Sequence, residues 1–107
     1  MNNTLIYCAK PQDLSITKDT LELILNLQFI LRIDEEDQDY YFYGDIDGDN
    51  LEIMSNFNAS DEHFVLPPNK EYGTIFTINT SLPAQAFIDL LTEKAPELVL
   101  FQIYGKE

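Results

Sequence analysis

The sequence predicts an α+β domain: a mainly antiparallel sheet of five to six strands, a single C-terminal helix over about residues 83–94 packed on it, and a final strand. Three observations carry that expectation. Apolar and polar residues alternate along much of the chain, the period of a strand with one buried face. Asp47-Gly48 lies between two β-rich runs and marks a hairpin, because both residues tolerate the positive φ angles of tight turns. The segment after Pro83 repeats its apolar residues at the three- and four-residue spacing of a helix.

In chain order, Thr4 to Ala9 reads as a short strand that ends before Pro11. From Leu21 to Ile33 every odd position is apolar, while Glu22, Asn26, Gln28 and Arg32 hold even positions. That parity predicts a strand, although leucine favours helix locally. The helical alternative is a stripe of Leu21, Ile24, Leu25 and Leu31, which Gln28 interrupts. Asp34 to Asp39 is too polar to bury and serves as a connection. Tyr40 to Ile46 and Leu51 to Phe57 then pair around residues 47–50. A turn of two or four residues places Tyr40, Phe42, Ile46, Leu51, Ile53 and Phe57 on the core face. The same register turns Tyr41, Tyr43, Asp45, Glu52, Met54 and Asn56 outward.

Residues 58–72, with Pro67-Pro68, read as a long loop, and Gly73 to Thr80 as another strand. Ser81-Leu82-Pro83 opens the helix, with Ser81 or Leu82 as cap and Pro83 in the first turn. Its buried stripe is Ala84, Phe87, Ile88 and Leu91, and it must end before Pro96. Leu98 to Tyr104 is apolar on both parities, as in a strand covered on both faces.

Charge is the most unusual property of the chain. Residues 33–69 hold eleven carboxylates and no Lys or Arg, and supply −11 of the formal net charge of −13. An apolar share of 45% with thirteen aromatics excludes disorder as the source of that acidity. Repulsion of this size weakens a compact state, so a fold that keeps it is using the field. Nucleic acids and membrane surfaces are themselves polyanionic, so neither is an expected direct partner. The length of 107 residues bounds a single domain. Only Cys8 is present, which excludes an intrachain disulfide and allows a reducing compartment. The opening MNNTLIYCAK lacks the basic start of a secretory signal, so the expected location is cytoplasmic.

No catalytic or cofactor motif emerges. Asp45 to Asp49 is rich in carboxylates, but an EF-hand loop starting at Asp45 needs Gly sixth and Glu twelfth, where Asn50 and Asn56 stand. One His and one Cys, His63 and Cys8, cannot complete a structural zinc site, and nothing near either one builds a nucleophile dyad. The four glycines are scattered, which excludes a phosphate loop. The reading is therefore a protein that is not an enzyme and takes no metal or cofactor.

The expected role is capture of a basic protein. The residues assigned to the partner are Asp34, Glu35, Glu36, Asp37, Asp39, Tyr41, Tyr43, Asp45, Asp47, Asp49, Glu52, Asp61 and Glu62. Exposed tyrosines beside charge are enriched in binding surfaces. A nuclease site is lined with Lys and Arg, so an acidic plug gains both complementarity and a fast association rate. In size, acidity and lack of a catalytic motif the chain resembles immunity proteins that neutralise bacterial nuclease toxins. That resemblance rests on no motif and implies no residue roles. The alternatives are a nucleic-acid mimic that blocks a defence nuclease and a non-catalytic homo-oligomeric module.

Overall fold

The structure, a computed structural model, describes residues 3–9, 14–33, 38–55, 57–58, 63–64 and 73–104. Eight strands and two helices follow in the order β1 (Asn3–Ala9), α1 (Leu14–Leu25), β2 (Ile30–Ile33), β3 (Asp39–Gly44), β4 (Asn50–Ser55), β5 (Phe57–Asn58), β6 (His63–Phe64), β7 (Thr74–Thr80), α2 (Ala84–Lys94) and β8 (Val99–Tyr104). Six strands form one sheet in the order β2-β3-β4-β7-β1-β8, and β5 pairs with β6 separately. Every pairing is antiparallel. The α+β class and the antiparallel six-stranded sheet therefore agree with the expectation.

The first helix does not. Leu14 to Leu25 forms α1 where the parity rule places a strand starting at Leu21. The odd-position pattern of 21–33 mixes two elements. In the helix, Thr17 and Leu21 are buried four residues apart, with Leu14, Ile24 and Leu25 packed around the core. Leu23, which shares Leu21's parity, is 86% exposed. Asn26 stops the helix with φ 56°, and the Leu27 amide donates back to the Glu22 carbonyl at 3.3 Å. That bond joins the second residue past the end to the last turn, the closure of a Schellman motif. The Glu22 side chain then accepts from the Phe29 amide at 2.8 Å, tying the end of α1 to the start of β2.

Both helices cover one face. Leu21, Leu91 and Ala95 pack with Leu5, Tyr7, Leu51, Ile53, Phe76 and Ile78, which alternate along three neighbouring strands, β4, β7 and β1. The topology accounts for this. β1–α1–β2 and β7–α2–β8 both join parallel strands of the sheet, but β1 and β7 run in opposite directions and their crossovers move in opposite directions across it. Placing both helices on one face gives the two crossovers the same hand, as the handedness rule for such units requires.

Three smaller expectations also change. In α2 the stripe is as read, Leu91 being buried with Ala84, Phe87 and Ile88 partly so, and the helix ends before Pro96. Its cap position, however, is Pro83, with no side-chain capping bond. Ser81 is occupied elsewhere. β8 is an edge strand instead of a covered one, with Val99, Phe101, Ile103 and Tyr104 exposed. An unbroken apolar run reports composition, and a peripheral strand satisfies it as well as a central one. Of the long loop read at 58–72, Asn58 and the pair His63–Phe64 are strand residues, and the remainder lies outside the described residues. No described helix is long and apolar enough to cross a membrane.

Candidate functional site

The β3–β4 hairpin carries most of the described acidic residues assigned to a partner, and its turn sets their geometry. Gly44 pairs with Asn50, so the turn spans five residues, Asp45 to Asp49. The Asp45 amide donates to the Asp49 carbonyl at 3.0 Å, and the Gly48 amide to the Asp45 carbonyl at 3.1 Å. The Asp45 carboxylate accepts the Asp47 amide at 3.1 Å, a local Asx turn. Beneath the turn the Asn50 side-chain amide donates to the carbonyls of Asp45 and Gly48 at 2.8 and 3.2 Å. Asn79 donates to the Asn50 side-chain oxygen at 2.8 Å, and Thr4 to that of Asn79 at 2.7 Å. The turn is thus braced across three strands.

An odd number of turn residues reverses the expected faces. Tyr41 pairs with Ile53 and Tyr43 with Leu51, so these tyrosines share the helix-covered face. Tyr41 is half-buried against the core, with the Lys18 ammonium 5.7 Å from its ring centroid. Tyr43 meets Phe29 edge-on at a centroid distance of 6.4 Å and stays 42% exposed. Ile46, read as core, stands in the turn and is exposed.

Glu52 pairs with Phe42 on the opposite face. There the Arg32 guanidinium lies 4.4 Å over the buried Phe42 ring. Burial pushes the Glu52 carboxyl above its ordinary range, and the nearby Arg32 charge only partly offsets that. Glu52 is therefore separated from Tyr41 and Tyr43 by the thickness of the sheet.

The remaining assigned residues divide into four groups. Asp39 opens β3 and is exposed. Asp45 and Asp47 are exposed at the turn. Asp49 is held: its carboxylate accepts the Ser81 amide at 3.1 Å and the Ser81 hydroxyl at 3.0 Å, which is why Ser81 does not cap α2. It clasps the β3–β4 turn to the segment entering α2. Asp34, Glu35, Glu36, Asp37, Asp61 and Glu62 lie outside the described residues.

Among the described residues, cations do not offset the exposed acids. Of the three described, Lys18 meets Asp19 at 2.9 Å and Glu22 at 3.4 Å, Arg32 stacks on Phe42, and Lys94 lies 3.7 Å from Glu93. No group of three or more His, Cys, Asp or Glu side chains among the described residues is arranged to hold a metal ion.

Beside the turn is a cavity of about 240 Å³ between the end of α1 and the start of α2. Leu25 and Leu27 form one wall, Leu82 and Phe87 the other, and Tyr43 and Leu51 the floor. Asp49 and Thr80 stand among its polar lining. Sequence reasoning misses this cavity because its walls come from segments remote in the chain, and no local pattern joins them. The comparisons with family models, characterised proteins and solved structures find no match for this chain.

Proposed function

We propose that the chain is a small acidic inhibitor that captures a basic protein, with a bacterial nuclease toxin as the target that suits it best. The observation that supports this is the Asp45–Asp49 turn: exposed carboxylates, rigidly braced, beside an apolar cavity and a half-exposed Tyr43, with no described cation lining the cavity. Exposed charge steers the encounter, while an aromatic and an apolar recess supply the slow-dissociating anchor. Nuclease sites concentrate Lys and Arg, so such a surface is complementary to them.

The experiment is co-expression with the toxic C-terminal domain of a secreted protein encoded beside this chain's gene, followed by binding kinetics. Growth should be rescued, and the association rate should fall steeply between low and high salt. Replacing Asp45 and Asp47 together by Asn should slow association several-fold without unfolding the chain, since both carboxylates are exposed. Rescue without any salt dependence, or association unchanged in that double variant, sinks the electrostatic reading.

A second reading, the homo-oligomeric module, is favoured by one observation: the sheet ends at both sides in edge strands with exposed aliphatic residues, Ile30, Leu31 and Ile33 on β2 and Val99 and Ile103 on β8. The nucleic-acid mimic is disfavoured, because Glu52 lies on the other face of the sheet from Tyr43 and the cavity beside the turn.

A further inference from the structure

The cavity beside the acidic turn has a size and lining that select its occupant. Its volume of about 240 Å³ falls below the ~300–1,000 Å³ of small-molecule sites. It matches one long side chain of a partner, the usual form of an interface anchor. The walls are aliphatic and aromatic, so the occupant needs an apolar stem. Asp49 supplies a fixed negative charge: the Ser81 amide and hydroxyl, with the Thr80 hydroxyl at 3.5 Å, hold its carboxylate in place, and no described Lys or Arg lines the cavity to neutralise it. An acidic side chain would be repelled there, and a purely apolar one would fill the recess without gaining from the Asp49 charge.

Between the two cationic side chains, the planar guanidinium fits better. It is less strongly hydrated than an ammonium, lies against an aromatic ring such as Tyr43, and meets a carboxylate with two parallel donors. The Thr80 hydroxyl is already engaged, donating to Asp49 at 3.5 Å and accepting the Leu82 amide at 3.0 Å. We propose that this cavity receives one arginine side chain of the partner, its stem between Leu25, Leu27, Leu82 and Phe87 and its guanidinium at Asp49. The proposal deepens the inhibitor reading and rests on it for the identity of the occupant's owner.

The test uses the isolated chain and small probes, so that its failure is separate from failure of toxin capture. Backbone amide NMR shifts are followed while n-butylguanidinium chloride is added, and again with n-butylurea, its neutral counterpart of the same shape. Butylguanidinium should shift Leu25, Leu27, Tyr43, Leu51 and Phe87 saturably, and butylurea should bind about fivefold more weakly, the value of one partly desolvated charge pair. Asp49→Asn, which keeps an oxygen to accept the Ser81 amide, should bring the two probes level. Leu82→Trp, at an exposed mouth position, should block both while leaving the fold intact. Equal binding of the two probes to the wild-type chain overturns the proposal, as does butylguanidinium that shifts other residues and leaves these unmoved. Neither result bears on salt-dependent capture through Asp45 and Asp47, which the kinetic experiment decides separately.

Discussion

Gly44 holds the hairpin that carries the acidic turn. Its φ is +110°, and a Cβ there would lie 2.4 Å from the Asp49 carbonyl oxygen, a backbone atom that cannot swing aside. Gly44→Ala should cost about 1–3 kcal/mol, the range for forced backbone strain, as read from denaturant melts. A change within experimental error would show that the turn re-forms without this geometry. Glu52 gives a pH-dependent counterpart. Its folded carboxyl binds a proton more tightly than the unfolded one, because burial opposes the charged form more than Arg32 favours it. Its contribution to stability is therefore full below its ordinary value of 4.5 and is lost as pH rises through the elevated folded value. Glu52→Gln should raise the melting temperature at pH 7 and give no gain at pH 4. A loss at pH 7 would mean that the Arg32 partnership outweighs burial.

At the scale of elements, α1 is where local pattern and structure part, and two leucines separate the alternatives. A strand over 21–33 puts Leu21 and Leu23 on the same face, whereas the helix buries the first and exposes the second. Leu21→Ala should cost about 2–5 kcal/mol by removing core volume. Leu23→Ala should stay within about 0.5 kcal/mol, as at other exposed sites. Similar losses at both positions in chemical denaturation would restore the strand. The reason for the misreading is physical. A helix with positions four apart in the core and a following strand of period two both place apolar residues at odd numbers, because four is a multiple of two. The helix-stop signal at Asn26 was present in the sequence and weak, since Asn also occurs inside helices and turns. The hairpin faces were misread for a simpler reason: one residue more or less in the turn reverses every side chain on one strand, and Asp47-Gly48 does not specify the turn's length.

For the whole molecule, charge and edges oppose each other. β8 carries six residues without a charge or a proline, and its one built-in defence is a bulge, Phe101 being the extra residue between Leu100 opposite Tyr7 and Gln102 opposite Ile6. β2 exposes three aliphatic residues on the other side. A net charge of −13 keeps copies apart at neutral pH. Near the isoelectric point of about 4.1, or in roughly 1 M salt where the Debye length falls to ~3 Å, that protection fades. Sedimentation should then show self-association, and Ile103→Lys should suppress it. Monodisperse chain under both conditions would show that these edges do not pair.

Properties that are sums or short periods were legible in the chain alone: the acidity, the α+β class, β1, β7 and α2, and the hairpin around Asp47-Gly48. Each follows from composition or from contacts between residues close in the chain. Tertiary structure alone decided the rest. It set the identity of α1, the edge position of β8, the faces of Tyr41, Tyr43 and Glu52, and the engagement of Asp49 by Ser81 across 32 positions. It also made the cavity, whose walls meet only when α1 and α2 settle on one face of the sheet. Those features depend on long-range burial and on register, and both are fixed by which surfaces exclude water together, a choice made by the whole chain at once.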